Sequence, residues 1–95
     1  MSKFSIEIGV SLDSLESVAK KAEELHFDGI FYGDSLSSYQ LECWTAIAII
    51  SSYTKVIRVG PAVTFPLIRH PSILARTAAT IDQFSNGRLE FRVGL

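Results

Sequence analysis

Strand-like and helix-like patterns alternate along this chain at a nearly constant interval, and that rhythm constrains the fold more than any single residue. Residues 4–10 (Phe4, Ser5, Ile6, Glu7, Ile8, Gly9, Val10) alternate apolar with small or polar side chains, the period of a strand. Leu15, Val18, Ala19, Ala22 and Leu25 then recur at helical spacing, and Asp13 with Glu16 predicts a capping box at the start of that helix. Ile30-Phe31-Tyr32-Gly33 is a short apolar run bounded by glycines, as in a strand buried on both faces, and a polar loop follows from Asp34 to Gln40. Trp44 to Ile50 reads as a helix. Val56 to Val63 is the strongest strand pattern, and Thr64 to His70 reads as a loop. Pro71 suits the first turn of a third helix, whose buried stripe is predicted as Ile73, Leu74, Thr77, Ala78, Ile81 and Phe84. Asn86-Gly87 stops that helix, and Leu89 to Val93 reads as a fourth strand.

The strand centres near Ile6, Phe31, Arg58 and Phe91 lie roughly 25 to 33 residues apart, about one βα unit each. The expected class is therefore α/β, with the order β-α-β-α-β-α-β, parallel strands and right-handed crossovers. Residues 1–95 read as a single domain, with no linker or low-complexity segment. Strand parity refines this. Glu7 opposes Ile6 and Ile8, Arg58 opposes Ile57 and Val59, and Glu90 and Arg92 oppose Phe91 and Val93. A doubly wound sheet, covered on both faces, calls for apolar residues at both parities. A charge on one parity in three of four strands suits a barrel whose inward groups pair with one another. A small flavodoxin-like sheet is the competing reading.

Composition narrows the function classes. Nine basic and ten acidic residues are interspersed, net charge −1, so nothing favours nucleic acid or an anionic membrane. No apolar run approaches the ~20 residues of a membrane span, and the amino terminus lacks a signal core. The single cysteine, Cys43, forms no internal disulfide and fits a reducing compartment, so the expected location is cytoplasmic. A mean hydropathy of +0.26 is high for so short a chain, and predicts either self-association or membership of a larger fold.

In parallel α/β folds the chemistry gathers at the carboxyl ends of the strands. Asp34, just beyond a buried apolar strand, is the foremost candidate, with Ser35 beside it; a turn or cap residue is the plainer reading. Ala62, Val63 and Thr64 end the third strand. His70 stands at a helix amino terminus, either facing a ligand or simply marking the boundary. No metal-ligand spacing and no phosphate-binding glycine loop occurs.

Four segments taken together resemble the luciferase-like monooxygenase family, which includes flavin-dependent monooxygenases and deazaflavin-dependent reductases. They are Phe27 to Asp34, Thr54 to Thr64, Arg69-His70-Pro71, and Ser85 to Phe91. The resemblance implies the amino-terminal portion of a (βα)8 TIM barrel that moves hydride between FMN or a deazaflavin coenzyme and a small-molecule substrate. It assigns Asp34 as a catalytic polar group, Ala62, Val63 and Thr64 to the cofactor, and Ser35 and His70 to the substrate, with a non-prolyl cis bond at Ala62-Val63. Three positions depart from the pattern. Ser35 replaces a frequent histidine and Phe65 a frequent asparagine, while Arg92 stands where glycine is common. A full barrel needs ~250 residues. The chain is thus expected to be either part of a longer enzyme, without turnover by itself, or a non-catalytic half-barrel that self-associates as a homo-oligomer.

Overall fold

In the computed structural model, which describes residues 3–35 and 41–94, three strands form a parallel sheet: β1 (Ser5–Ile8), β2 (Gly29–Tyr32) and β3 (Arg58–Pro61), in that order. The register aligns Ile6, Ile30 and Val59 in one row and Glu7, Phe31 and Gly60 in the next. Because side chains alternate along a strand, these rows project from opposite faces. The helices α1 (Leu12–Glu24), α2 (Cys43–Tyr53) and α3 (Pro71–Phe84) gather on the first face, where Leu15, Ala19, Ile47, Ile50, Leu74 and Ile81 share a core with Ile8, Ile30, Tyr32 and Val59. Strands that keep adding on one side, with helices on one face, make a singly wound wall. A doubly wound sheet reverses direction and sheathes both faces, so the flavodoxin-like alternative does not hold.

The segment after α3 runs parallel to β3, as predicted, but as two separate bridges, Val59 with Leu89 and Thr64 with Val93. Between them β3 and its extension advance five residues while the partner advances four, so the extra residue bulges out of the ladder. The peptide bond Ala62-Val63, inside this bulge, is cis. The predicted charged parity is also found. On the face away from the helices, Glu90 pairs with Arg58 at 3.6 Å and Arg92 at 3.4 Å, and the Arg92 guanidinium lies 3.6 Å from the Phe31 ring centroid.

Several local expectations are corrected. The N-cap of α1 is Ser11, and Asp13 lies inside the first turn, so there is no capping box; the Ser14 N–H bond to the Ser11 carbonyl starts the helix earlier. Leu25 leaves the buried stripe because it is the C-cap residue. In α3 the stripe is narrower than predicted: Leu74 and Ile81 are buried, whereas Ile73 and Phe84 are 57% and 60% exposed, since neither faces the shared core. Pro71 does open α3. Asn86 takes the left-handed position after it, with N–H bonds from Asn86 to Gln83 and from Gly87 to Asp82. His26 ends α1 in the same manner. Beyond Ser35, the predicted loop through Gln40 lies outside the described residues.

Two side chains fasten the amino-terminal end of the wall. Glu23 of α1 accepts the N–H groups of Lys55, Val56 and Ile57, at 2.8, 2.8 and 3.0 Å, at the entry to β3. Burial penalises that carboxylate, but the three bonds outweigh it and hold its pKa below the usual range. Arg88 spends all five guanidinium donors on Ser51, Thr54, Ile57 and Ser85, tying the end of α2 to β3 and the following segment.

Candidate active site

At the carboxyl ends of β2 and β3, the alternation sends Asp34 and Thr64 to the helix side of the wall, not into its interior. Both are buried, Asp34 with 3% of its side chain exposed. Oδ2 of Asp34 accepts from the Thr64 hydroxyl at 2.7 Å, the Phe65 N–H at 3.3 Å and Nη1 of Arg69 at 2.6 Å, while Oδ1 accepts from Nη2 of Arg69 at 2.9 Å. A carboxylate offers about four lone-pair positions, and four donors meet this one. Burial alone pushes Asp34 up; the bonds from Arg69, Thr64 and Phe65 overcome it and leave the carboxyl below its ordinary value. The group is thus a fixed anion. It is not poised to exchange a proton near neutral pH.

The cluster extends onto α2. The indole N–H of Trp44 donates to Thr64 Oγ1 at 3.1 Å. Arg69 also pairs with Glu42, which caps α2 by accepting the N–H groups of Trp44 and Thr45. Desolvation opposes the charge on Glu42, but Arg69 and Thr45 hold its pKa down, and the bonds to Asp34 raise that of Arg69. Cys43 gives its thiol to the Tyr32 carbonyl, and burial with the nearby Asp34 charge pushes it up to about 12. That thiol is inert. Tyr32 is a second strut, donating to the Val10 carbonyl and accepting from the Leu41 N–H.

Of the candidates read from sequence, the fold brings Asp34 and Thr64 into contact, and Ala62 and Val63 form the bulge beside them. Ser35 is exposed next to Asp34. His70 is drawn to α3, where Nδ1 accepts the Ser72 N–H at 3.2 Å and caps the helix. Arg69, Glu42 and Trp44 escaped the sequence reading. Their partners stand 35, 27 and 20 residues away, and no local pattern reveals such pairs. The available signals were the place of Arg69, directly ahead of a helix start at the ligand end of a βα unit, and its membership of the Arg69-His70-Pro71 segment. Among the described residues, no three His, Cys, Asp or Glu side chains group as they would around a metal ion.

On the other side of the bulge, Ala62 and Val63 are half-buried. A Cβ added to Gly94 would lie 2.6 Å from Val63 Cγ2 and 3.1 Å from Phe65 Cε1, so glycine there keeps the bulge level with the neighbouring segment. A singly wound βα wall, with polar groups and a bulge at its strand ends, matches the ligand-binding end of a (βα)8 barrel.

Comparison with known proteins agrees. The luciferase-like monooxygenase family model matches residues 4–95, and the chain belongs to that family. It is 30% identical over 94 residues to the 5,10-methylenetetrahydromethanopterin reductase of Archaeoglobus fulgidus, covering 97% of this chain and 28% of the relative. The coenzyme F420-dependent tetrahydromethanopterin reductase of Methanopyrus kandleri superposes with a TM-score of 0.86 at 28% identity, covering 97% of this chain and 26% of that one. The oxygenating constituent of 3,6-diketocamphane monooxygenase from Pseudomonas putida, in complex with FMN, superposes with a TM-score of 0.83. At 19% identity, with 97% of this chain and 29% of that one covered, it speaks for the fold alone. The chain thus spans under a third of the length of these relatives and corresponds to a portion of a TIM barrel.

Proposed function

We propose that this chain supplies the amino-terminal wall of an oxidoreductase site that binds a deazaflavin coenzyme or FMN and passes hydride between that ring and a small-molecule substrate. The observation that carries the reading is the bulge at Ala62-Val63, a shelf at the strand ends with Gly94 packed closely beside it. The residues present fit a planar ring. Ala62 and Val63 offer backbone and small apolar groups behind it, and Phe65 adds an apolar wall. When bound, the ring supplies the hydride chemistry.

The chain's own residues hold and orient. Thr64 fixes the far end of the shelf through Asp34 and Trp44. Asp34, placed by the sequence reading at the reacting centre, acts from behind the shelf as a fixed anion. Ser35 and His70 lie towards the substrate, where the Ser35 hydroxyl donates a hydrogen bond but accepts no proton near pH 7. The remaining wall comes from further βα units or from a second copy of the chain. That agrees with the share of each relative covered and with the exposure of Phe91 and Val93. A cytoplasmic location belongs to the same reading, supported by the lone Cys43; no helix among the described residues is long and apolar enough to cross a membrane.

Fluorescence titration of the full chain with FMN and with coenzyme F420 tests the proposal. Binding of one ring is expected, weakened by Gly94→Val, which pushes Val63 off the shelf. Lack of binding by either ring up to about 1 mM, an affinity weaker than ~4 kcal/mol, refutes it. Substrate turnover by these 95 residues alone would refute the need for the rest of the wall.

A further inference from the structure

We propose that Arg69 is a positioning residue of the ring site, holding the exit of β3 in place through Asp34, Thr64 and Glu42 without itself touching ligand. The inference rests on the ring site proposed above and adds the element that keeps its shelf still. The shelf is anchored before the bulge by the Ala62 N–H on the Tyr32 carbonyl, at 2.9 Å. Beyond the bulge, Thr64 exchanges backbone bonds with Arg92 and Gly94, each at 2.9 Å, and its hydroxyl bonds to Asp34. Asp34 and Trp44 are therefore the side chains through which the far anchor reaches the end of β2 and α2, and Asp34 carries the charge.

A carboxylate so buried needs a cation, and Arg69 supplies it in the two-pronged geometry that a planar guanidinium provides and an ammonium does not. Through Glu42 the same side chain reaches the cap of α2, so one residue links the ends of β2 and β3 to a helix. Nη1 also lies 3.4 Å from Thr64 Oγ1. The side chain is 19% exposed and both Nη groups are engaged by these partners, which suits a strut and not a ligand-contacting group. Among the described residues, Glu42 and Cys43, both at the start of α2, are the other titratable groups shown to interact with this pair. Cys43 stays neutral across the physiological range because its thiol titrates only at about 12.

Without Arg69 the Asp34 charge is stranded in a buried site, and burial then favours its protonated form. Trp44, the one tryptophan of the sequence, donates its indole N–H to the Thr64 hydroxyl and reports on this event with no cofactor present. The experiment follows the indole 15N–1H resonance of the full chain from about pH 8 to pH 5, where buried carboxyls with raised pKa values titrate. Wild type, Arg69→Met, Arg69→Lys and the Arg69→Met/Asp34→Asn double variant are compared, and FMN and F420 affinities are measured in parallel.

The expected result is a flat wild-type profile and a titration step in Arg69→Met. The step disappears in the double variant and shrinks in Arg69→Lys, and ring affinity falls at least about tenfold in Arg69→Met. If Arg69→Met does not fold, the Arg69→Lys resonance decides. An indole profile of the substituted protein that matches wild type throughout overturns the proposal. So does a titration step that leaves ring affinity unchanged, because Arg69 would then hold Asp34 but not the shelf. If wild type binds neither ring, the function proposed above fails and Arg69 is no residue of a ring site, while the indole profiles still report whether it holds Thr64.

Discussion

Replacing Arg88 by methionine removes a guanidinium whose contribution can be worked out bond by bond. Its five bonds run at 2.8 Å to the Ser85 carbonyl and the Thr54 hydroxyl, 3.0 Å to the Ile57 and Ser51 carbonyls, and 3.2 Å to the Thr54 carbonyl. All four of these partner residues are buried. The Ser51 and Thr54 carbonyls belong to the end of α2, where a helix leaves carbonyls without partners, and the last turn of α2 carries no basic residue of its own. Arg88, distant in sequence, supplies both the missing donors and the cation that the helix end favours. Each orphaned buried acceptor costs ~1–3 kcal/mol, and water reaches some of them because Arg88 is itself half-buried, so the net loss is about 3–5 kcal/mol. For a domain of this size that lowers Tm by roughly 12–40 °C, at ~4–8 °C per kcal/mol. Arg88→Lys, with a single nitrogen for several acceptors, restores less than half. Urea and thermal unfolding followed by circular dichroism measure both variants. A methionine variant within about 1 kcal/mol of wild type, with unchanged denaturant dependence, refutes the assignment of Arg88 as the clamp of this end.

Asp34→Asn leaves Arg69 facing an amide and lowers stability at neutral pH by about 2–4 kcal/mol, less than the loss of a wholly buried ion pair because Glu42 still holds the arginine. Since the folded carboxyl lies below its ordinary value, this contribution is present above ~4 and is lost as pH falls through the folded value; urea unfolding across pH should therefore show the gap between wild type and variant closing only in acid. Gly60→Ala places a Cβ 2.1 Å from the Glu90 carbonyl oxygen, so the segment after α3 must shift; a loss of about 2–3 kcal/mol and faster amide exchange at Glu90 are expected, and unchanged exchange there contradicts the close approach. Cys43, its thiol pushed up to about 12, should react with iodoacetamide at pH 8 at least ~100-fold more slowly in the folded protein than in urea, as mass spectrometry will read.

Hydrophobic period located two strands and two helices here, because burial acts on residues two, three or four apart and leaves its mark locally. The continuous apolar run of Ile30 to Gly33 gave the remaining strand, and the alanine content of Trp44 to Ile50 with the polar residues that follow gave the remaining helix. Ile30 to Gly33 read as buried on both faces, and Ile30 to Tyr32 are so. The charged parity of Glu7, Arg58, Glu90 and Arg92 pointed to the inner face of a barrel wall, since a single strand already shows which of its side chains share a side. Boundaries were less legible. Ser11 rather than Asp13 caps α1, because the backbone bond to Ser14 decides the start and many side chains can follow it.

The sequence by itself thus determined the class, the order of elements and the end of the wall at which Asp34 and Thr64 would stand. The non-prolyl cis bond at Ala62-Val63 was implied by the family resemblance alone, whereas the hydrophobic pattern carried the third strand through to Val63. Only the tertiary structure decided that Asp34 points behind the shelf, saturated by Arg69, Thr64 and Phe65, and that His70 turns to cap α3. The reason is physical. A side chain's partners are set by which segments the sheet brings within 3 Å of one another, and a pair such as Asp34 and Arg69, 35 residues apart, has no interaction along the chain to announce it.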